Sequence, residues 1–311
     1  MNDGPYDVAI IGGSFAGLTA ALQLGRASRR TLVFDAGAPR NRFSPAAHGV
    51  PGWDGTPPGE ILGRFRSDLA AYPSVQIQAD RVVQVDGRQD AFSVETDGGD
   101  RVSARRIVLA HGVRDILPDI PGLAENWGRT VLHCPYCHGY EVRDRPLAVL
   151  ATGPMAAHQA QLLRADWSEA VTLLTAGMGG FDADALTKVG VKVDPRNVKA
   201  VRSDATGLAL TLSDGAPMAV AALFLGPTAS IAETPAEHLG CALADGPMGP
   251  YVQVGPMGQT SVPGVFAAGD LARPAPNVNF AIADGTQAGI GCHASLVFPD
   301  FVQPLQQEVA A

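Results

Sequence analysis

The stretch Asp7-Val8-Ala9-Ile10-Ile11-Gly12-Gly13-Ser14-Phe15-Ala16-Gly17 decides the fold. A short apolar run of strand type enters a glycine turn, and Leu18, Ala21, Leu22 and Leu24 continue behind it with helical spacing. Strand, turn and helix open a βαβ unit. The next strand-like run, Thr31-Leu32-Val33-Phe34, ends in Asp35. That is about twenty residues past the glycines, where a dinucleotide-binding unit places the acid that holds a ribose hydroxyl. Glycines at such a turn let the backbone approach a pyrophosphate, which sits on the helix N-terminus and its partial positive charge. Ser14 stands where the pattern usually has its middle glycine and crowds that approach slightly.

A second unit begins at Pro146-Leu147-Ala148-Val149-Leu150 and turns through Ala151-Thr152-Gly153-Pro154-Met155-Ala156. It runs in a helix to about Ala165 and re-enters a strand at Val171-Thr172-Leu173-Leu174. Two such Rossmann-like units imply an α/β protein with two dinucleotide-binding domains. The second is degraded as a nicotinamide site: Ala151 replaces its first glycine and Pro154 stiffens the turn. Its second strand ends in Thr175-Ala176-Gly177, with neither an acid nor an Arg for the ribose 2′ position. Further on, Gly246-Pro247-Met248-Gly249-Pro250 reads as a linker, and a Gly/Ala-rich helix runs from about Asn279 to Leu296.

Composition narrows the class. With 46% hydrophobic and 17% charged residues the chain is too apolar to be disordered. A net charge of -8 argues against nucleic acid as a partner. No apolar stretch reaches the roughly 18 residues of a membrane helix, and Met1-Asn2-Asp3-Gly4-Pro5-Tyr6-Asp7 lacks a basic leader region, so a soluble cytoplasmic protein without a membrane partner is expected. Four cysteines in 311 residues do not make a disulfide scaffold, yet two of them are paired in sequence while Cys241 and Cys292 are solitary.

That pair lies in His133-Cys134-Pro135-Tyr136-Cys137-His138-Gly139-Tyr140-Glu141. Two cysteines separated by two residues can close a small disulfide ring, in which one thiolate attacks a partner and the other resolves the mixed disulfide. Haem attachment, a zinc site and two inert core cysteines compete with this redox reading. Haem attachment needs an exported protein, and zinc needs a second ligand pair. No metal ligands are therefore assigned. Exchange requires a thiolate, and His138, then His133, is the candidate base that removes the thiol proton.

Taken in order, Gly12-Gly13-Ser14-Phe15-Ala16-Gly17, Leu109-Ala110-His111-Gly112, Cys134 with Cys137, and Phe266-Ala267-Ala268-Gly269-Asp270 resemble the low-molecular-weight thioredoxin reductases over Asp7 to about Phe298. The resemblance implies a homodimeric flavoprotein of the three-layer ββα type. Residues 1–114 plus 248–311 would bind FAD, and an inserted domain, 115–247, would resemble an NADPH domain and carry the cysteines. It assigns Gly12, Gly13, Ser14, Phe15, Ala16 and Gly17 to the FAD pyrophosphate turn and Asp35 to the ribose. It adds Arg40, Asn41, His48 and Gly112 to the cofactor contacts. Gly269 and Asp270 would hold the ribityl chain, with Ala281 near the flavin pyrimidine edge. Cys137 would face the flavin and Cys134 the substrate. His111 and His293 stay open between flavin contact and a local hydrogen bond.

Departures from the family put NADPH use in doubt: the second glycine motif is incomplete, and Thr175-Ala176-Gly177 stands where NADPH-using members carry a His-Arg-Arg cluster; separately, His138 replaces the Asp that follows the second cysteine in ordinary members. The blocks Pro39-Arg40-Asn41-Arg42, His48-Gly49 and Asp54-Gly55-Thr56-Pro57-Pro58, with the cysteine segment, look most like the dithiol oxidases that close disulfides in natural products of the gliotoxin, holomycin and romidepsin type. The expected activity is therefore FAD-dependent oxidation of a dithiol through Cys134–Cys137, with oxygen as the final acceptor. The alternatives are a disulfide reductase fed by NADPH or another donor such as ferredoxin, acting on a thioredoxin-like protein, and a non-enzymatic redox sensor.

Overall fold

The computed structural model describes residues 4–204, 207–231, 235–298 and 303–305. Its first strand, Tyr6–Ile11, lies between Thr31–Phe34 and Arg101–Leu109 and is parallel to both. Val75–Gln78 and Val265–Ala267 extend the parallel sheet on either side. Val8, Ala9 and Ile10 are fully buried, as expected of a parallel strand covered on both faces. An antiparallel meander, Val82–Arg88 and Ala91–Thr96 against the start of Arg101–Leu109, joins the same sheet. Its Val85, Phe92 and Val94 pack into one core with Ala9, Ile11, Ile107 and Leu109.

The helix after the glycine turn, Phe15–Arg26, packs on the long helix Val278–Val297 with almost no side-chain separation. A Cβ at Gly285 would enter the Ala16 carbonyl, and one at Gly289 would press on the Ala20 backbone. The far end of the long helix is held by Arg106, which is fully buried. Its guanidinium donates to the Ser295 hydroxyl and carbonyl, both at 2.9 Å, and to Asp90 at 2.8 Å. An arginine buried within a strand is thus satisfied rather than stranded.

These elements form one compact unit of Met1–Arg40, Gly59–Arg114 and Ala229–Ala311. The other unit is Asn41–Pro58 and Asp115–Thr228. Its sheet is parallel throughout, in the order Val191–Asp194, Val171–Leu174, Leu147–Leu150, Ala222–Phe224, Val131–Leu132. Ala156, Ala160 and Leu163 of the helix Ala156–Asp166 and Leu186 of Ala183–Lys188 cover one face. The other face packs against Val201, Leu208 and Leu210 of an antiparallel sheet, Val198–Asp204, Gly207–Leu212 and Pro217–Val220. Helix, parallel sheet and antiparallel sheet give this unit the three layers of the ββα type.

The limits of the units differ from the expected 115–247 insertion at two places. Residues after Thr228 leave the second unit because Ile231, Ala236 and Cys241 bury themselves in the core that holds Val85, Phe92 and Val265. The Gly246–Pro250 stretch is accordingly no linker but the turn of a hairpin, Leu243–Gly246 against Gly249–Val252. Residues 41–58 instead belong to the second unit, closed on themselves by Ala47 N–H donating to the Thr56 carbonyl at 2.8 Å. Among the described residues no helix is long and apolar enough to cross a membrane.

The helix contact is testable. Gly285→Val is expected to destabilise the fold by at least about 2 kcal/mol in chemical denaturation, because the displaced helix cannot restore its contact with Ala16.

Candidate functional site

In the first unit the glycine turn is wedged between two strand ends. Gly12 has φ +113°, a conformation that only glycine adopts readily, and a Cβ there would meet the Ala110 carbonyl. A Cβ at Gly13 would strike the Asp35 side chain, and one at Gly17 the Gly12 carbonyl. Asp35 is therefore set directly against the turn. Its Oδ1 accepts from Gly37 N–H at 2.9 Å and its Oδ2 from Arg66 at 2.7 Å. Arg66, on the helix Pro58–Leu69, escaped the sequence reading because nothing in a polar helix marks which charge reaches back. Ser14 is extended at the helix N-cap and makes no side-chain capping bond, so the first-turn N–H groups next to Phe15 and Ala16 have no protein cap to displace.

The later motif arrives at the same unit. Gly269, φ +75°, presses on Ala16 and faces Ala281 of the long helix. Asp270 accepts from Arg40 at 2.9 Å across 230 residues of sequence. A small pocket beside this pair is lined by Val113, Met248 and Arg273 as well. Arg273 is fixed by two bonds to the buried Asp284, at 2.5 and 2.6 Å. Gly112, φ +70°, has open space around its Cβ position. His111 beside it donates from Nδ1 to the Gly112 carbonyl at 3.2 Å, while its Nε2 is buried without a hydrogen-bond partner. Burial lowers its pKa to about 4, so the ring is neutral and Nε2 presents a lone pair. A tight glycine cradle, an uncapped helix start and an orphaned acceptor fit a dinucleotide with sugar hydroxyls.

The cysteines belong to the second unit. The strand Val131–Leu132 delivers the chain to Cys134, which caps a single helical turn, Pro135–His138. Pro135 occupies the position where its ring is pre-set for a helix and its missing N–H costs nothing. Cys134 and Cys137 are joined in a disulfide, Cα atoms 5.3 Å apart, and Cys137 N–H donates to Cys134 Sγ at 3.2 Å. Tyr136 is 73% exposed and meets Trp167 edge-on, ring centroids 5.5 Å apart. The His133 carbonyl accepts from Gln159 at 2.5 Å.

His138 closes the turn. Its pKa is lowered, chiefly by burial and then by the neighbouring His48, while Glu141 acts the other way. His48 lies with its ring centroid 6.4 Å from that of His138, and its Nδ1 is 3.5 Å from Glu141 and 3.6 Å from Asp54. Expected among the cofactor contacts, His48 meets His138 in the second unit, and Asn41 lies in the same 41–58 segment. Cys241 and Cys292 are buried thiols, pushed up to about 11 and about 12 by desolvation and so poor nucleophiles. Among the described residues no group of three or more His, Cys, Asp or Glu could hold a metal ion.

Residues 6–285 match the model of the pyridine nucleotide-disulphide oxidoreductases. The chain belongs to that family. It is 35% identical over 297 residues to "Thioredoxin reductase tcpT" of Claviceps purpurea, covering 91% of this chain and 92% of the relative. The solved structure of an oxidoreductase from Agrobacterium tumefaciens superposes with a TM-score of 0.90 at 45% identity, over 95% of this chain and all of that one. That of HlmI gives 0.88 at 38% identity, over 96% and 95%. The protein is thus a thioredoxin-reductase-like, FAD-dependent oxidoreductase acting on sulfur groups, and its redox disulfide is Cys134–Cys137.

The cradle predicts a cofactor phenotype. Gly12→Ala places a side chain in a strained backbone conformation and against Ala110, and is expected to weaken FAD binding at least tenfold, read as the flavin-to-protein absorbance ratio after purification.

Proposed function

We propose that this chain is a dithiol oxidase: electrons leave a dithiol substrate, pass through Cys134–Cys137 to FAD, and end on oxygen. The observation that carries the reading is the contrast between the two glycine turns. In the first unit, three glycines are wedged where no Cβ fits. In the second, Gly153 has open space at its Cβ position, and the Thr152 hydroxyl beside it donates to the Gly226 carbonyl at 2.6 Å. The strand Val171–Leu174 leads into Thr175-Ala176-Gly177, which offers a ribose 2′ group no charged partner. A disulfide centre kept beside a bare nicotinamide turn supports electron entry from a thiol. FAD binding is assigned to Gly12, Gly13, Ser14, Phe15, Ala16, Gly17, Asp35, Arg40, Gly112, Gly269, Asp270 and Ala281, with His111 added as a hydroxyl acceptor.

The chemistry belongs to the chain's own residues. One substrate thiol gives its proton to His138, and the thiolate attacks Cys134 Sγ. The Cys134–Cys137 bond breaks and Cys137 leaves as thiolate. The second substrate thiol loses its proton and attacks the sulfur held on Cys134, which releases the cyclised disulfide and a Cys134 thiolate. Two electrons now rest on the cysteine pair. FAD, when bound, supplies their two-electron acceptor. The substrate is a small-molecule dithiol, and the working form is a homodimer.

A second reading keeps the same residues and reverses the flow: a reductase for a thioredoxin-like protein, fed by NADPH or another donor such as ferredoxin. The relatives' name, thioredoxin reductase, favours it. Anaerobic mixing of the oxidised holoenzyme with dithiothreitol or with NADPH separates the two. The proposal expects the dithiol to bleach the flavin and NADPH to leave it oxidised; fast bleaching by NADPH overturns it.

Cys134→Ser and Cys137→Ser are each expected to lower dithiol turnover by at least about a thousandfold, the scale of a lost nucleophile, with FAD still bound. Full activity in either variant would remove the disulfide from the mechanism. Because burial lowers the His138 pKa, the base is free through neutral pH, and the rate of dithiol-driven bleaching is expected to fall only below the ordinary histidine range, as His138 takes up a proton.

A further inference from the structure

The segment 41–58 stands about ninety residues before His138 in the chain, yet it brings His48 to it. The loop is built to do so. Ala47 N–H donates to the Thr56 carbonyl, Val50 is buried, and Gly49 N–H donates to Asp54 Oδ1 at 2.7 Å, which fixes Asp54 beside the His48 ring. Nδ1 of His48 then lies between two carboxylates, Glu141 at 3.5 Å and Asp54 at 3.6 Å. The His48 and His138 rings meet edge to face, 6.4 Å between centroids and 83° between planes.

We propose that His48, anchored by Glu141 and Asp54, is a positioning residue that holds His138 in its proton-accepting form during thiol exchange. The proposal rests on the dithiol-oxidase reading and deepens it. His48 is held between two carboxylates and faces His138, where it opposes a positive charge on that ring. Glu141 acts on His138 in the opposite direction. Closing one disulfide strips a proton from each of two substrate thiols at one place. A base that keeps the first proton cannot serve the second thiol. His48 makes the protonated His138 more acidic, so the first proton leaves to solvent and the same imidazole serves twice. The balance is complete: two thiol protons go by way of His138 to water, and two electrons go to the Cys134–Cys137 pair.

The test uses holoenzyme and dithiothreitol under anaerobic conditions, with the rate of flavin bleaching followed against pH. His48→Asn removes the ring that opposes charge on His138, and the acid limb of the profile is expected to move up by about one pH unit, the size of a unit charge acting at this separation through a partly solvated site. His48→Lys puts a permanent charge at that place and is expected to hold the limb at or below the wild-type position. Asp54→Asn, on a side chain that is 72% exposed and so safe for folding, is expected to move the limb up by less. A limb that stays put in His48→Asn, or that moves the same way in His48→Asn and His48→Lys, overturns the proposal. In that event the wild-type enzyme still bleaches with dithiol, so the oxidase reading survives. If dithiothreitol fails to bleach the wild-type flavin, the oxidase reading itself fails.

Discussion

Gly12, Gly13 and Gly17 have no room for a Cβ, and the first unit is organised around that constraint. Each glycine lets a different piece of backbone or side chain close in: Ala110 on Gly12, Asp35 on Gly13, and the Gly12 carbonyl on Gly17. The same economy recurs where the helix Phe15–Arg26 meets Gly285 and Gly289 of the long helix, and where Gly269 meets Ala16. Ala16 is thus pressed from two sides, by Gly269 and Gly285. A cofactor's phosphates can approach such a turn because the protein has removed every side chain that would stand in the way.

The disulfide centre is built on a different principle. Here a single helical turn led by Pro135 presents two sulfurs and an exposed aromatic, and the control is electrostatic. Burial and His48 act on His138 in one direction and Glu141 in the other. The two remaining thiols are buried deeply enough to stay protonated. One chain therefore holds a bonded cysteine pair at a turn and two free thiols sealed in the core.

Much of this was legible in the sequence because its signals are local. The glycine turn, Asp35, Gly269-Asp270 and the cysteine pair each depend on residues a few positions apart, and the α/β class followed from strand and helix runs around them. What was not legible depends on long-range closure. His48 carries no periodic or motif signal that would connect it to His138, and its loop interrupts the first unit's chain to join the second. Arg40 and Asp270 are joined across 230 residues, and Arg66 reaches Asp35 from a helix whose other charges face water. The second unit closes at Thr228 rather than at 247 for a similar reason: Gly246–Pro250 has the composition of a linker, but it turns a hairpin, and Ile231, Ala236 and Cys241 are buried in the first unit's core.

The central claim is that a dithiol is the electron source and oxygen the sink, with no nicotinamide between. Oxygen uptake by the purified holoenzyme, measured with dithiothreitol as the only reductant and the oxidised dithiol quantified alongside, tests it most directly. The account predicts one oxygen consumed per disulfide closed, at a rate that added NADPH does not change. Uptake that begins only when NADPH is supplied would contradict it.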